Sequence, residues 1–139
     1  PHFVLSSWAR QAARITMGLQ DPLITVGNVE VIRDFTDVRD IAKAYVLLLT
    51  AAEPGDLFVA GRGMGHPLSD YLQVLCGLCP VPVEVRVDPS LLRKKDIERL
   101  VCDPRKIARA VGWRAEIPMD QTLRDVYEYW QQVESACSG

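Results

Sequence analysis

Apolar residues recur every three or four positions in several stretches of this 139-residue chain, and short β-branched runs lie between them. That alternation constrains the fold more than any other feature. A 3.6-residue repeat must bury one helical face, whereas a short apolar run must find a sheet partner. Leu5, Trp8, Ala12, Ile15 and Leu19 predict a helix over residues 3–19, closed by Gly18 and Pro22. Leu23–Val26 and residues 29–35, joined by Gly27-Asn28, read as a β-hairpin. Asp37 is the expected N-cap of a helix running to about Ala52, with Asp40 in the capping-box position. Ile41, Ala44, Tyr45, Leu48 and Leu49 form its expected buried face. Residues 57–60 read as a short apolar strand, 61–65 as a glycine loop, and Pro67 falls in the first turn of a helix to about Leu78. Residues 83–87 alternate like a half-exposed strand, and residues 100–102 read as a short one. Asp103 and Pro104 open a helix that Gly112 stops, and a last helix spans 120–136 with Leu123, Val126, Tyr127, Trp130 and Val133 inward. The expected fold is mixed α/β, with several helices, short strands and a hairpin, in one unit over residues 1–139.

Charge narrows the function. Sixteen cations against eighteen acids leave a net charge of −2, which argues against a partner held by its phosphate backbone. The longest apolar run, residues 44–52, falls far short of the roughly 20 residues of a membrane span. No basic-then-apolar opening marks a secretion signal, and four cysteines among 139 residues do not require a disulfide framework, so a cytoplasmic protein is expected. The chain starts at Pro1 on residues that already read as a helix, and is expected to be a piece of a longer protein.

Two motifs imitate functional sites. Cys76-Gly77-Leu78-Cys79 has the spacing of a redox pair or half a zinc site. It lies at the end of a helical run, where the helix dipole opposes a thiolate, and no second ligand pair accompanies it. Reduced, buried thiols are the expectation. Residues 57–65 imitate a dinucleotide-binding turn, with Asp88 as its distant acid. The third glycine position holds His66, however, and Pro67 removes an N–H where phosphate donors are needed, so a plain strand-to-helix turn is expected. No tyrosine has a lysine four residues later, and no other acid–base constellation is evident.

Two charged segments remain. Arg33 sits in an otherwise apolar run, so it must pair with Asp34, Asp37 or Asp40, or else face a ligand. Arg93-Lys94-Lys95 lies in an irregular stretch, where it is either a solvated face or a binding loop. Two arginines converging from separate loops suit a diphosphate, because guanidinium forks match phosphate oxygens.

The segment Arg33-Asp34-Phe35-Thr36-Asp37-Val38-Arg39-Asp40, preceded by Val26-Gly27-Asn28 and followed by Ala44-Tyr45, resembles the nucleotide-sugar branch of the extended short-chain dehydrogenase/reductases. Phe3-Val4 and Ala9-Arg10-Gln11 are similar to the family's segment after its catalytic half, and residues 57–61 to a turn on its substrate side. Arg93 to Asp96, Asp103-Pro104 and Gly112-Trp113 resemble its tail, with Lys94 where the family commonly has proline. The resemblance implies a C-terminal substrate-binding lobe without its Rossmann half. Arg33 and Arg93 would grip the diphosphate of a nucleotide sugar, with Lys94 as a looser compensating charge. Asp96 would accept the ribose hydroxyls, and Asn28, Phe3 and Val4 would lie near the base. NAD(P)H would be bound by the N-terminal half, which leaves this chain with no catalytic, cofactor-binding or metal-binding residue of its own. The implied reaction is reduction of a GDP-linked 4-keto-6-deoxyhexose by an intact homodimer. Dehydration of GDP-mannose, or another nucleotide-sugar epimerisation or dehydration, is the alternative, and a free-standing nucleotide-binding module is a further one.

Overall fold

The computed structural model describes residues 3–93 and 95–137. Helix α1, Val4–Thr16, forms where the apolar spacing puts it, and Leu19 falls beyond its end, exposed. Ala9, Ala12 and Ala13 are fully buried, and Trp8 and Ile15 are buried on the same side of the helix. The last helix, α5 (Met119–Cys137), packs there and buries Leu123 and Tyr127. Helix α3, Leu68–Gly77, completes the layer with Leu72 and Leu75. A fully buried leucine such as Leu123 contributes about 1.5–3 kcal/mol. The same helices are tied at their edges by Glu134, which accepts from Arg10 and Arg14 at 2.5 Å each.

Strand β1, Leu23–Val26, lies against this core with Ile24 and Val26 inward. It does not turn back on itself. Its partner is β4, Glu84–Val87, in parallel register from Leu23↔Glu84 to Val26↔Val87. The other edge of β1 is occupied by a side chain: Gln11 Oε1 accepts from Thr25 N at 2.8 Å and Gln11 Nε2 donates to Thr25 O. With both edges of β1 engaged, the expected hairpin has no place to form. The chain after Gly27 instead makes an Asx turn, in which Asn28 Oδ1 accepts from Glu30 N at 3.0 Å. It then runs on to the start of α3, where Leu68 N and Ser69 N donate to Val31 O and Val29 O. Strand β2, Ile32–Arg33, is the middle of a second small sheet. It pairs antiparallel with β3 (His66–Pro67) and parallel with β5 (Arg99–Leu100).

Helix α2, Val38–Ala51, and helix α4, Arg105–Val111, build a separate core of Ala44, Ile107 and Trp113. Asp37 caps α2 as expected, its side chain accepting from Arg39 N at 2.8 Å. Asp40 does not complete a capping box, because its carboxylate reaches instead to the backbone of residues 116–117. Only part of the expected face of α2 is covered. Seven-residue α4 is too short to shield a fourteen-residue helix, and Tyr45 and Leu49 are 65% and 87% exposed. Residues 57–60 form no strand and pair with none among the described residues, and β4 is exposed throughout as the outer strand of its sheet. The mixed α/β architecture stands, without its hairpin. Among the described residues no helix is long and apolar enough to cross a membrane.

Candidate functional site

The two small sheets and the start of α1 leave a cleft of about 520 Å³ between them. Phe3, Val4, Asn28, Arg33, Arg93 and Asp96 all line it. Each comes from a different kind of local structure. Phe3 is the N-cap residue of α1 and Val4 its first helical residue. The Phe3 side chain does not cap that end and no acid sits in the first turn, so among the described residues the helix itself supplies nothing to offset the partial positive charge of its terminus. Asn28 stands on the Asx turn after β1. Arg33 ends β2. Arg93 and Asp96 come from the irregular stretch between β4 and β5.

Arg33 is held at several points. Nη1 donates to Ile32 O at 2.8 Å and to Ile97 O at 2.7 Å, and Nη2 donates to Asp96 Oδ1 at 2.7 Å. None of the three acids expected from the sequence is its partner. Asp34 Oδ2 accepts from Gly63 N and from the backbone and thiol of Cys102. Asp37 binds Arg39 and Thr122, and Asp40 binds residues 116–117. Guanidinium has five N–H donors. The Nε–H and one Nη2–H of Arg33 have no partner among the described residues. Asp96 Oδ1 also accepts from Ile97 N at 2.9 Å, which leaves Oδ2 as a spare acceptor among the described residues. Arg93 is exposed and forms no ion pair among the described residues. The compensating role expected of Lys94 lies outside the described residues. Among the described residues the cleft thus carries two cations to one carboxylate, with donors and an acceptor to spare.

Beneath β2 the packing is dense and polar. Tyr71 donates its hydroxyl to Arg33 O at 3.3 Å and meets Phe35 edge-on at a centroid distance of 5.2 Å. Burial raises the Tyr71 hydroxyl pKa and, with the Asp34 carboxylate beside it, pushes the Cys102 thiol up to about 11.

Both imitation motifs have packing roles in the fold. A methyl on Gly61 would collide with Cys102 Sγ, and one on Gly65 with Val101 Cγ2, so these glycines make room for the chain after β5. Asp88 accepts from Ser90 N at 2.8 Å and caps a 3₁₀ turn, Pro89–Leu91. These residues do not fit a dinucleotide. Cys76 and Cys79 are free thiols at the end of α3, both raised by burial. Sequence reasoning missed Trp8, Gly27 and Leu91 as cleft residues. Trp8 carries a core signal, Gly27 a turn signal, and Leu91 none.

A mixed α/β lobe with an arginine-lined cleft between two small sheets corresponds to the C-terminal part of the extended short-chain dehydrogenase/reductases. The chain belongs more narrowly to the GDP-mannose 4,6 dehydratase family, whose model matches residues 1–126. It is 33% identical to GDP-6-deoxy-D-mannose reductase of Pseudomonas aeruginosa over 129 residues, covering 93% of this chain and 42% of that protein. It is 27% identical to GDP-mannose 4,6 dehydratase 2 of Arabidopsis thaliana, covering 88% of this chain and 33% of that protein. The solved structure of RMD from Pseudomonas aeruginosa complexed with NADPH superposes with a TM-score of 0.87 at 32% identity, over 94% of this chain and 43% of that one. UDP-glucose-4-epimerase from Stenotrophomonas maltophila, with bound NAD and formylated UDP-arabinopyranose, gives 0.73 at 26% identity, over 99% and 43%. The chain therefore spans less than half the length of these relatives.

Proposed function

We propose that residues 1–139 are the nucleotide-sugar-binding lobe of an NAD(P)H-dependent oxidoreductase that reduces a GDP-linked 4-keto-6-deoxyhexose. The observation that carries this reading is the convergence of Arg33, Arg93 and Asp96 on one cleft. The N–H groups of Arg33 that are spare among the described residues take the diphosphate together with Arg93, and the α1 terminus adds its partial charge. Asp96 Oδ2 accepts from the ribose hydroxyls, while Asn28, Phe3 and Val4 flank the base. The NADPH-bound reductase structure supports the same cofactor class for this enzyme. It is held by the part of the enzyme outside this chain, because the glycine loop here is filled by its neighbours. The exposed apolar stripe of α2, with Val38, Tyr45 and Leu49, is the face offered to that part.

The matching family model favours a second reading, dehydration of GDP-mannose. The two separate when the full enzyme is given each substrate. Consumption of NADPH with the keto-sugar supports reduction, whereas turnover of GDP-mannose supports dehydration. Binding itself is tested by titrating GDP and NADP into the labelled chain. GDP is expected to shift the amides of Arg33 and Asp96, and NADP to leave them in place. No shift at millimolar GDP overturns the reading.

A further inference from the structure

Gly27 is the last residue before the Asx turn, and it touches the opposite wall of the cleft. A methyl placed on it would stand 2.8 Å from the Leu91 carbonyl oxygen and 3.3 Å from Leu91 Cβ. A real Cβ does not approach a carbonyl oxygen that closely, so only glycine lets the two walls meet as they do. Leu91 ends the 3₁₀ turn, and the turn is itself fastened to the end of β1. Asp88 N donates to Val26 O at 2.8 Å, Leu91 N to Asp88 O at 3.0 Å, and Ser90 N to the Asp88 carboxylate. At its far end the stretch is fastened again, by Asp96 on Arg33 and by Ile97 O on Arg33. Arg93 lies between these two fastenings, lines the cleft, and forms no ion pair of its own among the described residues.

We infer that Gly27 is a positioning residue for Arg93: its missing side chain lets Leu91 seat on the end of β1, and that contact sets where Arg93 stands over the cleft. The inference rests on the reading that the cleft takes a nucleotide diphosphate. It goes beyond that reading by assigning a role to a residue that does not supply a binding group. Asp88, which imitated a ribose-binding acid in the sequence, belongs to the same device as the cap that shapes the turn. A long flexible arginine binds a diphosphate well only when its root is fixed, because each torsion ordered on binding opposes association. Two fastenings, one on each side of Arg93, supply that order beforehand.

The test is a double-mutant cycle on the full chain with GDP as the probe. Gly27→Ala is expected to raise the GDP Kd about tenfold, as displaced binding groups commonly do. In an Arg93→Ala background the same substitution is expected to change the Kd less than about twofold. An equal loss in both backgrounds means that the methyl obstructs the ligand directly, and overturns the inference; so does no loss in either. Asp88→Ala loosens the same turn from its other side without touching the core. It is expected to show the same dependence on Arg93, and it carries the test if Gly27→Ala does not fold. Hydrogen exchange without ligand gives an independent readout. Amides of residues 91–93, 95 and 96 are expected to exchange faster in Gly27→Ala, and unchanged exchange overturns the positioning role. GDP that fails to bind the unsubstituted chain overturns the functional reading, and the exchange measurement still decides whether Gly27 holds the segment.

Discussion

Arg33 and Asp96, 63 residues apart in sequence, meet at 2.7 Å with side chains only 17% and 20% exposed. The pair joins β2 to the irregular stretch beside it, and both residues keep free polar atoms on the cleft among the described residues. Arg33→Ala removes donors to two carbonyls and a carboxylate, together with the spare N–H groups. A charge-assisted bond to a phosphate is worth about 1.5–3 kcal/mol, so the loss of even one is expected to raise the GDP Kd about 10- to 100-fold. Arg33→Lys keeps the charge but not the fork, and is expected to fall between. Calorimetric titration of the three proteins reads this directly; equal affinities show that Arg33 serves only as a strut.

A buried carboxylate fastens the second core. Asp40 is fully buried, and its Oδ2 accepts from Glu116 N at 2.9 Å and Ile117 N at 2.8 Å. Its own carbonyl accepts from Trp113 Nε1 at 2.8 Å. Asp40→Ala leaves two backbone N–H groups unpaired and is expected to cost about 2–5 kcal/mol in urea denaturation. Asp40→Asn retains an acceptor and is expected to cost less. A loss below about 1 kcal/mol for the alanine variant shows that water replaces the carboxylate.

The helices were legible because their signals are local. Apolar spacing places α1 and α5 to within a few residues, and Asp37 caps α2 where a short acid precedes a helical run. Strand pairing was not legible, because it depends on which edge is free. Gln11 occupies one edge of β1, so its sheet partner comes from about sixty residues downstream rather than from the next run of β-branched residues. The outer face of α2 carries the same apolar period as its inner face, and periodicity cannot say which is covered. Arg33 and Arg93 stood out by their charge and setting, the other four candidates came through resemblance, and all six line one cleft. What residue reasoning missed was the partner of Arg33 and the contact of Gly27 with Leu91, both set by backbone paths distant in sequence.

Asp37 links the start of α2 to α5 and makes stability depend on pH. Its carboxylate accepts from Arg39 N and Nε at 2.8 Å, from Arg39 Nη2 at 2.7 Å and from Thr122 Oγ1 at 2.7 Å. The Arg39 bonds hold its pKa well below the ordinary carboxylate range. The folded state therefore binds this proton less readily than the unfolded state does. The stabilisation is full above about pH 4 and is lost as pH falls from there through the lowered value. Asp37→Asn is expected to cost about 1–3 kcal/mol at pH 7, with the gap narrowing toward pH 3 in matched denaturant titrations. A gap that does not narrow shows that the asparagine amide, not the missing charge, is responsible.

The four cysteines are expected to separate by reactivity. Cys137, on the last turn of α5, is exposed, while Cys76, Cys79 and Cys102 are partly covered and raised by burial. At pH 8 a thiol with a pKa near 11 is about 0.1% thiolate, and the thiolate is the species that reacts. A disulfide reagent added to the native protein at pH 8 is expected to modify Cys137 in a fast phase. The other three should follow only in denaturant, each site being assigned by mass spectrometry. The result bears on function as well as packing. Cys76 lies in the last turn of α3 and Cys79 just past its end, where the dipole disfavours a thiolate, and Cys79 Sγ lies 3.7 Å from Ala12 O in α1. Fast modification of either one in the native state would place the pair at an open, activated surface and restore the redox reading that the fold opposes.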